Sequence, residues 1–267
     1  MYNVDTHAHV FSQHDHFVEN ARYTPSYTAS VEAFLELLDA HQFQYGVLIQ
    51  PSFYGTDNSV MLQAVAESKG RLKAVIVVDP DISAEDLQQY HQQGARGIRL
   101  NLFGKDIPDV STPQWQVLAK NLKSLGWHVE LHCPPDYLLA LLPALKQYGV
   151  NVVIDHLGRP AYEQDLDGEV FQQFIALLDP EYHWIKLSGL YRLAPSGQAV
   201  ERGKKIYDML KAQGMLTRIV WGSDWPHTQH EHETGYAENW QLFHEIVQNE
   251  DERVQILSAN PCQLFGF

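Results

Sequence analysis

Short apolar, β-branched runs alternate along the whole chain with longer stretches in which apolar residues return at helical spacing. The first run, residues 4–10, reads as a strand that ends on two histidines. A polar loop follows, and Ser30 caps an expected helix over 31–41 whose apolar positions 31, 34, 35, 37 and 38 form one stripe. Further strands are expected at 46–50, 72–78, 97–101, 127–132, 151–155, 183–188 and 218–222. Helices are expected between them at 57–68, 84–93, 114–125, 137–147, 168–178 and 198–213, and after the last strand at 236–249 and 251–257. Gly126, Gly149, Pro180 and Gly214 stand just past four of these helices, where glycine and proline stop a helix. Alternating strands and amphipathic helices imply a parallel sheet with helices outside, and eight such units close into a (β/α)8 TIM barrel. The expectation is one barrel domain over residues 1–267.

Sites in such barrels lie where the strands end, so the residues there carry the chemistry. Side chains alternate along a strand, which puts His7 and His9 on one face. The other strand ends bring Gln50-Pro51-Ser52, Arg99-Leu100-Asn101, Glu130-Leu131-His132, Asp155-His156, Lys186-Leu187-Ser188 and Ser223-Asp224-Trp225. Four histidines and an aspartate on one rim exceed what core packing explains. Singly, each has a plainer reading: Asp224 as a turn cap, His132 and His156 as hydrogen-bonded structural groups, and Arg99 as an ion-pair partner of Asp155.

Charge narrows the partners. The chain carries 33 acidic residues against 19 Lys and Arg, a formal net charge of -14. That repels nucleic acid and anionic membranes, so an anionic ligand has to be caught by local arginines. The two cysteines, Cys133 and Cys262, form no metal or redox motif. No basic segment leads into an apolar one at the start, so a cytoplasmic location is expected. Pro143 interrupts the longest apolar run, 137–145. No phosphate loop, dinucleotide fingerprint or serine elbow is present. Nothing in the pattern sets an oligomeric state.

His7-x-His9, His132, His156 and Asp224, on the first, fifth, sixth and eighth strands, resemble the amidohydrolase superfamily. Ile154-Asp155-His156-Leu157-Gly158-Arg159-Pro160 and Trp221-Gly222-Ser223-Asp224-Trp225-Pro226-His227 resemble its branch of TIM-barrel hydrolases that includes 2-pyrone-4,6-dicarboxylate lactonase. The resemblance implies a hydrolase that opens a carboxylated lactone. The fourth strand ends in Arg99 and Asn101, where many members place a metal-bridging lysine or glutamate, so a binuclear centre is not expected. The lactonase works without a divalent metal and lacks the strand-five histidine that this chain has as His132. The cofactor is therefore either none or one divalent ion, zinc or manganese, on His7, His9, His132 and Asp224, as in decarboxylases of the superfamily.

Within that frame Asp224 activates water, His156 donates to the carbonyl or leaving oxygen, and His7 and His9 polarise the carbonyl or hold the metal. Arg99 and Arg192 anchor carboxylates, since a planar guanidinium meets a carboxylate with two hydrogen bonds. Lys105 stands where the lactonase has a second arginine; Ser52, Tyr54, Asn101 and His227 line the pocket. Arg159 has a case similar to that of Arg99 and Arg192, but it lies further past its strand, and there an ion pair is the weightier reading. Two rivals remain at this point, a metal-dependent decarboxylase and a barrel that only binds a carboxylated metabolite.

Overall fold

The computed structural model describes residues 2–19, 21–195 and 197–267. Eight parallel strands run in sequence order around one sheet: β1 Val4–Ala8, β2 Tyr45–Ile49, β3 Leu72–Ile76, β4 Ala95–Asn101, β5 His128–His132, β6 Asn151–Ile154, β7 His183–Leu187 and β8 Ile219–Trp221. The helices between them are α1 Val31–Ala40, α2 Ser59–Glu67, α3 Ala84–Gln92, α4 Pro113–Ser124, α5 Pro135–Lys146, α6 Glu169–Leu177 and α7 Ala199–Ala212. After β8 come α8 Tyr236–Ile246, α9 Glu250–Val254, a π turn over Gln255–Ala259, and α10 Asn260–Phe265. The expected (β/α)8 barrel is what the chain forms. Among the described residues no helix is long and apolar enough to cross a membrane.

Two boundaries differ for physical reasons. α5 begins at Pro135, where a missing N–H costs nothing, and runs on through Pro143. An interior proline costs about 3 kcal/mol; the burial of Leu138, Leu141, Leu142 and Leu145 offsets it. The chain end holds three short helical pieces rather than one, and α10 folds under the barrel. There Phe265 joins Val4, Val47, Val75, Val153, Trp184 and Val220 in an apolar plug at the ends where the strands begin. A larger cluster fills the layer between the strands and the outer helices.

β1 departs from simple alternation. Val4 faces the barrel plug and Ala8 the outer layer, which strict alternation forbids for two positions of equal parity. The register supplies the reason: Asp5 pairs with Gly46 but Ala8 with Leu48, so β1 carries one extra residue. That bulge re-aims the strand and turns His7 and His9 into the barrel.

The barrel closes between β8 and β1. The Asp224 N–H donates to the His7 carbonyl at 2.9 Å, and the His9 N–H to the Trp225 carbonyl at 2.8 Å. Gly222 makes this approach possible, because a Cβ there would lie 2.5 Å from His7 Cβ and 2.8 Å from its backbone nitrogen.

Candidate active site

The strand ends bring together the histidines and aspartate named from the sequence. Asp224 Oδ1 lies 3.6 Å from His7 Nε2, 3.8 Å from His9 Nε2 and 4.0 Å from His156 Nε2. Its other oxygen accepts from the Tyr191 hydroxyl at 2.7 Å and from Arg192 Nε at 3.1 Å. One carboxylate oxygen is thus fully engaged and the other faces three ring nitrogens. Burial pushes the Asp224 pKa up, but neighbouring positive charge outweighs it and holds the carboxyl well below its usual range. Burial also lowers the histidines: His7 goes well below its usual value, and His9 and His156 go to about 4. With the rings neutral at pH 7, the standing attraction on Asp224 comes from Arg192 and the tyrosine O–H.

The backbone pays for this placement in conformation. His156, Leu157, Arg159 and Asp224 all sit at left-handed φ, 51°, 58°, 45° and 62°. Such residues are uncommon outside glycine and persist where the surroundings force them. Gly189 makes room for one ring: a Cβ there would meet His156 Nδ1 at 2.8 Å. That nitrogen pairs with Ser188 Oγ at 2.9 Å.

Above the cluster opens a cavity of about 150 Å³ lined by His9, Ser52, Arg99, Asn101, His132, His156, Arg192 and Asp224, with Arg22, Tyr23, Phe103 and Arg159. It takes a single small ring with its substituents. Four arginines face one carboxylate across it, in a chain of net charge -14. Its wall is therefore set for an anion. A larger groove, about 790 Å³, lies outside the barrel between α2 and α3, away from the strand ends.

Several roles expected from the sequence move. Arg99 borders the cavity, but its Nε and Nη2 both donate to Asp155 Oδ2, at 3.2 and 2.9 Å, and its Nη1 to the Gln50 carbonyl. Three of its five N–H groups are thus engaged by protein. His132 has no lone pair left for a metal: Nε2 accepts from Arg159 Nη1 at 2.9 Å and Nδ1 faces Asn101 Oδ1 at 3.3 Å. Lys105 is exposed and off the cavity, because a turn from Leu102 carries it outward. Tyr54 is off the cavity too; its hydroxyl donates to Asp15 within the aromatic cluster of Phe11 and Phe53. His227 is buried behind Tyr191, ring centroids 5.6 Å apart, and does not line the cavity. Ser52 and Asn101 do line it.

Arg159, for which an ion pair is the weightier reading from sequence, lies over the Phe103 ring at 4.1 Å and reaches into the cavity. Two groups carry no role in the sequence reading. Lys186 and Glu130 lie in the barrel interior below, both fully buried and 2.5 Å apart. Alternation along their strands held the signal: Trp184/Lys186/Ser188 and His128/Glu130/His132 put charges at inward positions.

His7, His9 and Asp224 each offer a ligand atom within 4.8 Å of one another. His9 Nδ1 lies 2.7 Å from the Ile49 carbonyl, which fixes the proton there and leaves Nε2 as a lone pair. His7 Nε2 is buried with no hydrogen-bond partner. This set fits one divalent ion by donor type and spacing, without His132.

The depressed histidines make the fold acid-sensitive. The folded state refuses protons on His9, His156 and His183 until about pH 4, whereas the unfolded chain takes them up near 6.5. Stability from these groups is complete above 6.5 and is lost as pH falls toward 4. Asp5, raised to about 6 by burial, opposes this as a single group. The urea midpoint is expected to be lower at pH 5 than at pH 7; an equal or higher midpoint at pH 5 contradicts the buried neutral histidines.

Comparison with known proteins fits this geometry. The chain is 29% identical over 272 residues to a 4-sulfomuconolactone hydrolase of Hydrogenophaga intermedia, covering 98% of this chain and 88% of that one. It is 30% identical over 234 residues to a 2-pyrone-4,6-dicarboxylate hydrolase of Comamonas testosteroni, covering 84% and 76%. Among solved structures, an Acinetobacter baumannii protein described as a probable 2-pyrone-4,6-dicarboxylic acid hydrolase, with citric acid bound, superposes with a TM-score of 0.98 at 46% identity over 100% of both chains. The family model of the amidohydrolases matches residues 4–267, and the chain belongs to that family.

Proposed function

We propose that the protein hydrolyses a lactone carrying carboxylates, of the 2-pyrone-4,6-dicarboxylate kind. The observation that carries this reading is the stacking of two layers. A carboxylate ringed by three imidazoles forms the floor, and arginines form the wall of a cavity sized for one ring. Relatives that act on lactones, and one that holds a tricarboxylate, support the same class.

Arg159 and Arg192 hold the carboxylates of the substrate, with Arg22 at the mouth. Burial lowers the Arg159 pKa to about 10, which still leaves it cationic at neutral pH. The attacking water would bind between Asp224 Oδ1 and the His9 Nε2 lone pair, which lie 3.8 Å apart. Asp224 takes one of its protons as the oxygen attacks the lactone carbonyl. The carbonyl oxygen gains the negative charge and is met by the N–H of His156, while His7, buried and off the cavity, backs Asp224 from below. The ring C–O bond then breaks, and its electron pair leaves as an enolate, which takes up the proton that Asp224 received and so restores the carboxylate. Asp224 is a weak base while Arg192 and Tyr191 hold it. A substrate carboxylate that draws on Arg192 raises its basicity where the water sits. A divalent ion on His7, His9 and Asp224 would supply Lewis-acid polarisation of the carbonyl when bound.

The test is a panel of lactones with and without carboxylates, followed by loss of the ring absorbance. Turnover of the carboxylated members supports the reading; turnover of none removes it. Within that panel, Arg159→Lys is expected to raise KM about 10- to 100-fold with a smaller change in kcat, since a point charge replaces a bidentate fork. An unchanged KM would leave Arg159 only its packing on Phe103 and its bond to His132.

A further inference from the structure

The polar centre of the barrel sits below the cavity and is not used by the steps above. Lys186 Nζ is fully buried, and three acceptors surround it: Glu130 Oε2 at 2.5 Å, His7 Nδ1 at 3.3 Å and Asp155 Oδ1 at 3.6 Å. An ammonium has three hydrogens and no lone pair, so it can only donate. The contact with His7 is favourable only if Nδ1 is the unprotonated nitrogen of that ring. The competing arrangement puts the proton on Nδ1 and gives it to Asp155 Oδ1, also 3.3 Å away. The two contacts are equal in length, and the ammonium tips the balance: with the proton on Nδ1, an N–H would face an ammonium 3.3 Å away, and one hydrogen of that ammonium would have no acceptor on the ring.

We propose that Lys186 is a positioning residue that holds His7 as the Nε2–H tautomer, so that His7 turns an N–H rather than a lone pair toward Asp224 Oδ1, 3.6 Å away. The neighbouring ring is held the other way. His9 gives its Nδ1 proton to the Ile49 carbonyl and turns a bare Nε2 toward Asp224. Two histidines at one strand end, ring centroids 5.1 Å apart, thus present opposite groups to Asp224: an N–H from His7 and a lone pair, open to water, from His9. The same proton on His7 Nε2 blocks the lone pair that a divalent ion would need. Lys186 therefore weakens the metal site that the donor spacing permits. Glu130 and Asp155 keep the ammonium in place, and Arg99 in turn balances those two carboxylates.

The tautomer claim stands apart from the lactone reading; only its catalytic consequence rests on that reading. The direct experiment is NMR of the full chain labelled with 15N in its histidine rings, with no substrate present. His7 is expected to show a protonated Nε2 and a bare Nδ1, and His9 the reverse. In Lys186→Met the His7 proton is expected to move to Nδ1, toward Asp155. The same variant should bind zinc at least about tenfold more tightly by calorimetry, since a freed lone pair joins the ligand set. On a substrate found by the panel its kcat should fall about 100-fold with KM little changed, since the Asp224 oxygen that takes the proton loses the donor that fixes it. Lys186→Met leaves Glu130 without its partner, so the double variant Lys186→Met/Glu130→Gln provides a second background. If neither variant folds, the wild-type spectrum alone decides. A bare Nε2 on wild-type His7, or a folded variant with unchanged tautomer and zinc affinity, overturns the proposal.

Discussion

Asp224→Asn is expected to lower kcat by about 10²- to 10⁴-fold, the usual contribution of a positioned general base. KM should stay level or fall. Asparagine keeps an oxygen for the Tyr191 hydroxyl and Arg192 Nε but removes the one negative charge among the cavity's four arginines. Arg192 then spends less of its charge on protein and more on the substrate. A defect confined to KM would make Asp224 a binding or structural group. The circular dichroism spectrum should match wild type, because the backbone N–H of this position, not its side chain, bonds to His7.

Gly222→Ala is expected to be the most damaging single methyl group in the barrel. The added Cβ would meet His7 Cβ at 2.5 Å, His7 N at 2.8 Å and His7 Cα at 3.1 Å. None of these is the end of a flexible side chain, so β8 has to move away from β1. Overpacking of this kind costs about 3 kcal/mol. In a chain of this size that lowers Tm by roughly 6–12 °C. Activity should fall further than stability predicts, because the same seam sets the 3.6 Å gap between Asp224 and His7. A displacement near 1 Å at reacting groups costs about 10²-fold. A variant with wild-type Tm and activity would show that the seam is loose and that closure does not place Asp224.

The barrel was legible because its signal repeats. Eight alternations of strand and helix state one architecture, and a single misplaced boundary does not change it. The plain reading of Arg99 as a partner of Asp155 was also available, since both stand at strand ends, and that is the pairing found. The cluster of His7, His9, His156 and Asp224 could be named because each lies at a strand end, and strand ends converge by construction. What did not follow was how nitrogen and oxygen atoms divide among partners. His132 stands at a strand end like the others, yet Arg159 fills its lone pair. Arg159 reaches back to the cavity only through consecutive left-handed residues after β6, a path no propensity suggests. Lys105 fails for the opposite reason: it is near in sequence to β4 but a turn carries it outward. The bulge in β1 was invisible as well, because it appears only in the pairing of Asp5 and Ala8 with β2.

Lactone hydrolysis in this barrel needs a floor that activates water beneath a wall that selects carboxylates. The most direct measurement is the ratio of kcat/KM for 2-pyrone-4,6-dicarboxylate to that for its dimethyl ester, with the same ring and no charge. Unpaired polar groups in a site cost about 10⁴-fold in such comparisons; a ratio of at least about 10³ in favour of the diacid is predicted. Equal values for the two, or turnover of the ester alone, would contradict the assignment of the arginine wall to substrate carboxylates.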